Sequence, residues 1–245
     1  MLVVESVAKS FDGFKAITGA GLEVEKGQVV AVIGPNGAGK TTLFNLITGH
    51  LGPDAGSIRF KGKEITGLAP HKISRLGVAR SFQLINVFGR LTVFENVQVA
   101  ILARLKKTWN MITPAGKMVH RETMAVLEMV GLAGYAGAPC ASLSYGDQKA
   151  LEVAIALAGK PELLLLDEPT AGMSPEETRS TVRLIETLAG QEGLTILFTE
   201  HDIDIVFNMA HRIVVMHQGR TVAGGTPEEV RRNPEVQKAY LGEAI

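Results

Sequence analysis

The sequence has 245 residues, 46% apolar, 20% charged and 5% aromatic, a globular composition with enough chain for one large domain, or a domain with a lobe, around a sizeable core. Lys plus Arg number 25 and Asp plus Glu number 25, so the formal net charge is zero and gives no global positive field for nucleic acid. The single cysteine, Cys140, excludes an intrachain disulfide and points to a reducing cytoplasm.

Residues 2–7 are β-branched and apolar and read as a strand. Glu5 inside this run, and the lack of a small-residue cleavage site, argue against a signal peptide. Residues 21–24 lead into a Lys26-Gly27 turn and then into 28–33, apolar nearly throughout, as in a strand buried on both faces. A Gly-rich loop and a helix over about 40–48 follow. From about 93 to 131 the pattern is helical, broken near Thr113-Pro114, and reads as a lobe inserted into an α/β core, with 86–91 as its connection. Helices are expected over 146–158, largely apolar and so buried, and over 175–189, with strands at 163–166 and 195–199. Residues 213–217 and 221–223 flank Gln218-Gly219-Arg220 as a hairpin. Thr226-Pro227-Glu228-Glu229 offers an N-cap, a first-position proline and a capping-box acid, and Asn233-Pro234 repeats the device. This alternation predicts a mostly parallel sheet covered by helices. The longest apolar runs, 29–33 and 163–166, are far too short to cross a bilayer, so any membrane role must come through docking.

Gly34-Pro35-Asn36-Gly37-Ala38-Gly39-Lys40-Thr41, with Thr42 beside it, matches the P-loop pattern in full, after an expected strand and before an expected helix. Glycines let backbone N–H groups curl around phosphate oxygens, and the helix N-terminus adds partial positive charge. Lys40 would neutralise the outer phosphates and Thr41 would offer a hydroxyl to Mg²⁺. The strand at 163–166 ends in Asp167-Glu168, at the carboxyl edge of the sheet. Asp167 would hold Mg²⁺ through water, and Glu168 would act as general base.

Leu143-Ser144-Tyr145-Gly146-Asp147-Gln148 resembles the signature motif of ABC ATPases, although Ser144 and Asp147 also read as a capping box. The resemblance covers essentially the whole chain. It implies a P-loop NTPase fold of the ABC nucleotide-binding type: α/β, with a mostly parallel core sheet, an antiparallel β part and an inserted helical lobe. On that scheme 1–85 and 159–245 form the core and 86–158 the lobe. It further implies adenine stacking on Phe11, with a core role open for Phe11 as for Phe14. Gln83 would be a Mg²⁺ ligand and His201 the γ-phosphate switch. Ser144, Tyr145, Gly146 and Asp147 would meet the nucleotide of a second subunit. The remaining histidines have no metal-like spacing and are left structural.

Four segments resemble the ATP-binding subunits of branched-chain amino acid importers: Tyr145 to Gln148, Arg80-Ser81-Phe82-Gln83, Leu91 to Val97, and Ala239-Tyr240-Leu241-Gly242-Glu243. That implies an ATPase peripheral to the inner face of the cell membrane. Its partners would be a second cassette, with a homologous heteropartner favoured over self, two permease subunits and, indirectly, a substrate-binding protein. Three positions depart from the pattern: Ala150 and Ile155 where arginines are usual, and Ser174 in Ala171-Gly172-Met173-Ser174 where an acid is usual. Urea or amide uptake, lipopolysaccharide extraction, and non-transport work in DNA repair or translation remain alternatives, as does a P-loop kinase or scaffold outside the family.

Overall fold

The computed structural model describes residues 1–81, 87–106 and 118–237. Gln83, Thr113-Pro114 and the motif from Ala239 to Glu243 lie outside the described residues. The chain opens with β1 (Leu2–Phe11), β2 (Phe14–Val24) and β3 (Val29–Ile33), followed by α1 (Lys40–Ile47). Next come β4 (Ala55–Phe60), β5 (Lys63–Glu64), α2 (Pro70–Arg75) and β6 (Val78–Ser81). The helices α3 (Val93–Arg104), α4 (His120–Met129) and α5 (Tyr145–Leu157) precede β7 (Leu163–Asp167), α6 (Pro175–Gly190) and β8 (Thr195–Thr199). The described chain finishes with α7 (Ile203–Met209), β9 (Arg212–His217), β10 (Arg220–Gly225), α8 (Pro227–Arg232) and α9 (Pro234–Val236).

Two sheets result. One has the order β2-β1-β4-β5 and is antiparallel throughout. The other has the order β10-β9-β3-β8-β7-β6; β9 to β6 are parallel, and only the β9–β10 hairpin is antiparallel.

The parallel sheet separates two cores, which explains its unbroken apolar strands. Along β7, Leu164 and Leu166 face the core shared with the helices, while Leu163 and Leu165 face the core shared with α1 and the antiparallel sheet. In β3, Val29, Ala31 and Ile33 alternate with Val30 and Val32 in the same way. A period of two with both faces covered leaves no interior position for a polar residue, and the one acid, Asp167, stands at the end of β7. Burying one such leucine contributes about 1.5–3 kcal/mol.

Helices α3, α4 and α5 pack on one another, and α5 also packs on β6 and α6. The excursion between β6 and α5 is pinned at its neck. Val93 N donates to Ala138 O, Phe94 N to Ala136 O, and Cys140 N to Leu91 O, over 2.9–3.1 Å. Thr92 starts α3 with a complete capping box to Glu95. The expected capping box at Thr226 also forms, and Ser174 makes another with Glu177.

The expectation of a buried α5 holds for Leu151, Val153 and Ala154, but Lys149 and Glu152 are buried there too, with Nζ and Oε2 3.7 Å apart. Among the described residues no helix is long and apolar enough to cross a membrane. A cleft of about 790 Å³ lies between the α2–β6 edge and the helices α3 and α5, lined in part by Ile73, Arg75, Arg80, Ala103 and Ile155.

Candidate active site

Strand β3 delivers the chain to Gly34 at the carboxyl edge of the parallel sheet. Gly34 has φ 156°, and a Cβ there would collide with the Met216 carbonyl oxygen of β9. Gly39, the N-cap of α1, has φ 101°, and its Cβ would fall 2.6 Å from Ile17 Cδ1. Both glycines are therefore required by a positive φ and by close packing. Pro35 is half-buried, Asn36 and Gly37 are exposed, and Ala38 is buried beneath the loop. Thr41 is exposed and Thr42 half-buried at the start of α1.

Lys40 is buried, and its Nζ donates to Gly34 O at 2.6 Å and Pro35 O at 3.2 Å, so the ammonium is held inside the loop. Burial pushes its pKa below the usual lysine value, against the opposing charges of Glu168 and Asp167. A desolvated ammonium within the field of two carboxylates, under a glycine-lined loop at a helix N-terminus, fits a polyphosphate.

Strand β7 supplies the two acids, and the sheet treats them differently. Asp167 is 2% exposed. Its Oδ1 accepts from Thr199 Oγ1 of β8 at 2.8 Å, and its Oδ2 accepts from Arg80 Nη2 of β6 at 2.7 Å. Glu168 has φ 49°, a left-handed conformation that costs a non-glycine residue about 1–2 kcal/mol. Its backbone N–H is held by Thr199 O at 3.1 Å and Thr199 Oγ1 at 3.0 Å. Its Oε1 lies 2.7 Å from His201 Nε2, and the His201 side chain is 44% exposed. Glu200, buried just before His201, accepts from Thr170 N and Oγ1 and from His201 N.

The oxygen donors at Thr41 and Asp167 are of the kind Mg²⁺ takes. Among the described residues no group of three or more His, Cys, Asp or Glu could hold a metal alone.

The structure thus brings Lys40, Asp167, Glu168 and His201 together. It does not bring Ser144 to Asp147 to them. Ser144 caps α5 by accepting from Asp147 N at 3.1 Å. The expected capping box is only half formed. Asp147 Oδ2 takes the Ser144 hydroxyl at 2.9 Å and does not return to the Ser144 backbone, because aspartate is one methylene shorter than glutamate. Gly146 N donates instead to Glu177 Oε1 of α6 at 2.9 Å, and a Cβ on Gly146 would lie 2.8 Å from that oxygen. Ser144 and Tyr145 are exposed.

Phe11 and Phe14 are 41% and 71% exposed at the tip of the β1–β2 hairpin, so neither is a core residue. His211 is structural, as expected: its Nδ1 accepts from Val29 N at 3.1 Å. Sequence reasoning gave no role to Thr199, Glu200, Glu177 or Arg80. Each acts through a partner remote in sequence or through its neighbour's backbone, so no spacing rule exposes it.

Residues 17–171 match the family model described as "ABC transporter", and residues 220–245 match "Branched-chain amino acid ATP-binding cassette transporter". The chain is 44% identical to the high-affinity branched-chain amino acid transport ATP-binding protein BraF of Pseudomonas aeruginosa, over 100% of this chain and 98% of that protein. It is 41% identical to the corresponding protein LivG of Salmonella typhimurium, again over 100% and 98%. Among solved structures, the ADP conformation of MJ1267, an ATP-binding cassette of an ABC transporter, matches with a TM-score of 0.86 at 31% identity, over 99% of this chain and 98% of that one. With the loop, the two acids and the histidine gathered at one sheet edge, and with likeness along its whole length, this chain belongs to the ABC transporter family as an ATP-binding cassette.

Proposed function

We propose that this cassette hydrolyses ATP to drive an importer of branched-chain or other hydrophobic amino acids. The convergence of Lys40, Asp167, Glu168 and His201 on one sheet edge carries the ATPase part of the reading. The likeness to BraF and LivG, together with the match at 220–245, outside the phosphate machinery, supports the substrate class.

The P-loop from Gly34 to Thr42 holds the phosphates, with Lys40 neutralising the outer ones and Phe11 stacking on adenine. Mg²⁺ supplied with ATP would be held by Thr41, Asp167 and Gln83, and would neutralise charge developing on the phosphoryl oxygens. Glu168 takes a proton from the attacking water as its oxygen bonds to the γ-phosphorus and the bond to the β-phosphate oxygen breaks. His201, 2.7 Å from Glu168, holds that carboxylate in place and reaches for the γ-phosphate.

Exposed Ser144 and Tyr145, with Gly146 and Asp147, fit a second cassette placed head to tail, so that ATP joins the pair. The departure at Ser174 favours a homologous heteropartner. Permease loops fit the cleft beside 86–158, read as the lobe against a core of 1–85 and 159–245. Docking there would place the subunit on the inner face of the membrane.

Glu168→Gln should bind ATP without hydrolysing it and trap the paired state; normal turnover would remove Glu168 as the base. A clean homodimer of that variant by size measurement would remove the heteropartner. Purification of the tagged chain from membranes in mild detergent should recover two permeases and a second cassette. The system's extracytoplasmic binding protein would then be tested for leucine, isoleucine and valine; urea or an amide as its ligand would redirect the substrate class.

A further inference from the structure

Arg80 stands on β6, the edge strand of the parallel sheet, with its side chain 5% exposed. A guanidinium is always charged and costly to bury, and an apolar side chain of similar volume would serve stability as well or better. Its geometry supplies another reason for being there. Nη2 donates to Asp167 Oδ2 at 2.7 Å, and Nη1 donates to Asn45 Oδ1 at 2.6 Å. Nη1 also reaches Thr48 Oγ1 at 3.4 Å, and Cζ lies 5.6 Å from the Phe44 ring centroid.

Phe44 and Asn45 belong to α1, the helix that begins at Lys40 and Thr41, and Thr48 is its C-cap. One planar fork therefore ties the phosphate-loop helix to the acid at the end of β7. Two of the oxygen donors assigned to Mg²⁺, Thr41 on α1 and Asp167 on β7, lie on separate elements that Arg80 spans. Thr199 holds the other oxygen of Asp167, but it is anchored on β8 and makes no such link to α1. A carboxylate whose two oxygens are both fixed has one orientation to offer.

We propose that Arg80 is a positioning residue for metal-dependent ATP hydrolysis: it sets the Asp167 carboxylate against the phosphate-loop helix so that Thr41 and Asp167 meet the same cation. The proposal rests on the metal role given to Asp167. Phosphate binding by the loop and Lys40 does not require Arg80, so nucleotide affinity without Mg²⁺ and dependence on Mg²⁺ separate cleanly.

The test compares Arg80→Lys, Arg80→Gln, Asn45→Ala and Asp167→Asn with the unaltered chain. Binding of a fluorescent ATP analogue in EDTA, Mn²⁺ binding to the nucleotide complex by electron paramagnetic resonance, the Mg²⁺ concentration giving half-maximal turnover, and the thermal midpoint are measured for each. Affinity in EDTA should stay within about twofold for the Arg80 and Asn45 variants. The Mg²⁺ midpoint and the Mn²⁺ dissociation constant should rise about tenfold or more in Arg80→Gln. The rise should be smaller in Arg80→Lys, which keeps the charge but not the fork, and in Asn45→Ala, which removes only the anchor on α1.

Folded Arg80 variants that lose thermal stability yet keep the ordinary Mg²⁺ and Mn²⁺ dependence would overturn the proposal. Where neither Arg80 variant folds, Asn45→Ala decides, and an unchanged metal dependence there overturns it equally. Asp167→Asn separates the two layers. If it leaves metal dependence unchanged, the metal role of Asp167 fails; if it alone raises the midpoint, only Arg80 does.

Discussion

Replacing Thr199 by valine keeps the shape of the side chain and exchanges one hydroxyl for a methyl. Thr199 is fully buried at the end of β8, and that hydroxyl has two duties. It donates to Asp167 Oδ1 at 2.8 Å and accepts from Glu168 N at 3.0 Å. A hydrogen bond to a charged group contributes about 1.5–3 kcal/mol, and an ordinary one about 1 kcal/mol. The second loss is softened, because Glu168 N retains Thr199 O at 3.1 Å. The expected cost of Thr199→Val is thus about 2–3 kcal/mol, or roughly 5–10 °C in Tm at this chain length. Thr199→Ser is the control: it keeps the hydroxyl and gives up one buried methyl, about 1 kcal/mol. Urea denaturation of both variants, read at equilibrium, provides the comparison. If valine costs less than serine, the hydroxyl is not what holds the acid pair, and the account of Asp167 as clamped on both sides is wrong.

Ser174 occupies the position where an acid is usual, and its hydroxyl caps α6 in a complete box with Glu177. Ser174→Ala should therefore cost about 1 kcal/mol in the same denaturation, while Ser174→Asp, an equally good cap, should cost little. Glu177 gives a pH signature. Hydrogen bonds from the Ser174 backbone N–H, then the Ser174 hydroxyl, then Gly146 N hold its carboxyl below the usual glutamate value. A depressed folded pKa means stability that is present above the unfolded value and lost as pH falls through the folded one. Glu177→Gln should accordingly flatten the acid limb of the stability curve; an unchanged limb would mean that the carboxylate is not engaged in solution.

Legibility in the sequence follows what each element has to do. The strands 29–33, 163–167 and 195–199 stand out because their interior positions, covered on both faces, are all apolar, with Asp167, Thr195 and Thr199 only at strand ends. The antiparallel sheet is nearly invisible. β1 runs to Phe11 rather than stopping at Val7, with register shifts after Val4 and Val7 that break the alternation. β2 begins at Phe14, seven residues before the expected start, because its first half is largely exposed and interrupted by Gly19. The sequence reading leaves 49–81 unassigned, and β4, β5, α2 and β6 lie there as short pieces below the length at which periodicity speaks. α7 is missed for the same reason. The phosphate loop is legible because one turn of backbone needs its residues consecutively. Arg80 and Asp167 are 87 positions apart, and only the pairing of β6 with β7 makes them neighbours.

That pairing also explains how one dipeptide can yield two unlike carboxylates. Asp167 is the last residue of β7 and is still in register with Thr199, so its side chain enters a slot between β6 and β8 and is gripped from each side. Glu168 is the first residue beyond the strand, and its left-handed turn releases it from the sheet's alternation. Its carboxylate thereby faces the half-exposed His201. The metal role proposed for Asp167 needs a fixed direction, and burial between charged and hydroxylic partners supplies it. A general base must meet water and then release a proton, which a fully enclosed carboxylate could do only slowly. The strain at Glu168 is the local cost of placing these two environments one residue apart. The bonds from Thr199 O and Oγ1 to its amide hold the turn in place, so the residue that orients the first acid also sustains the backbone of the second.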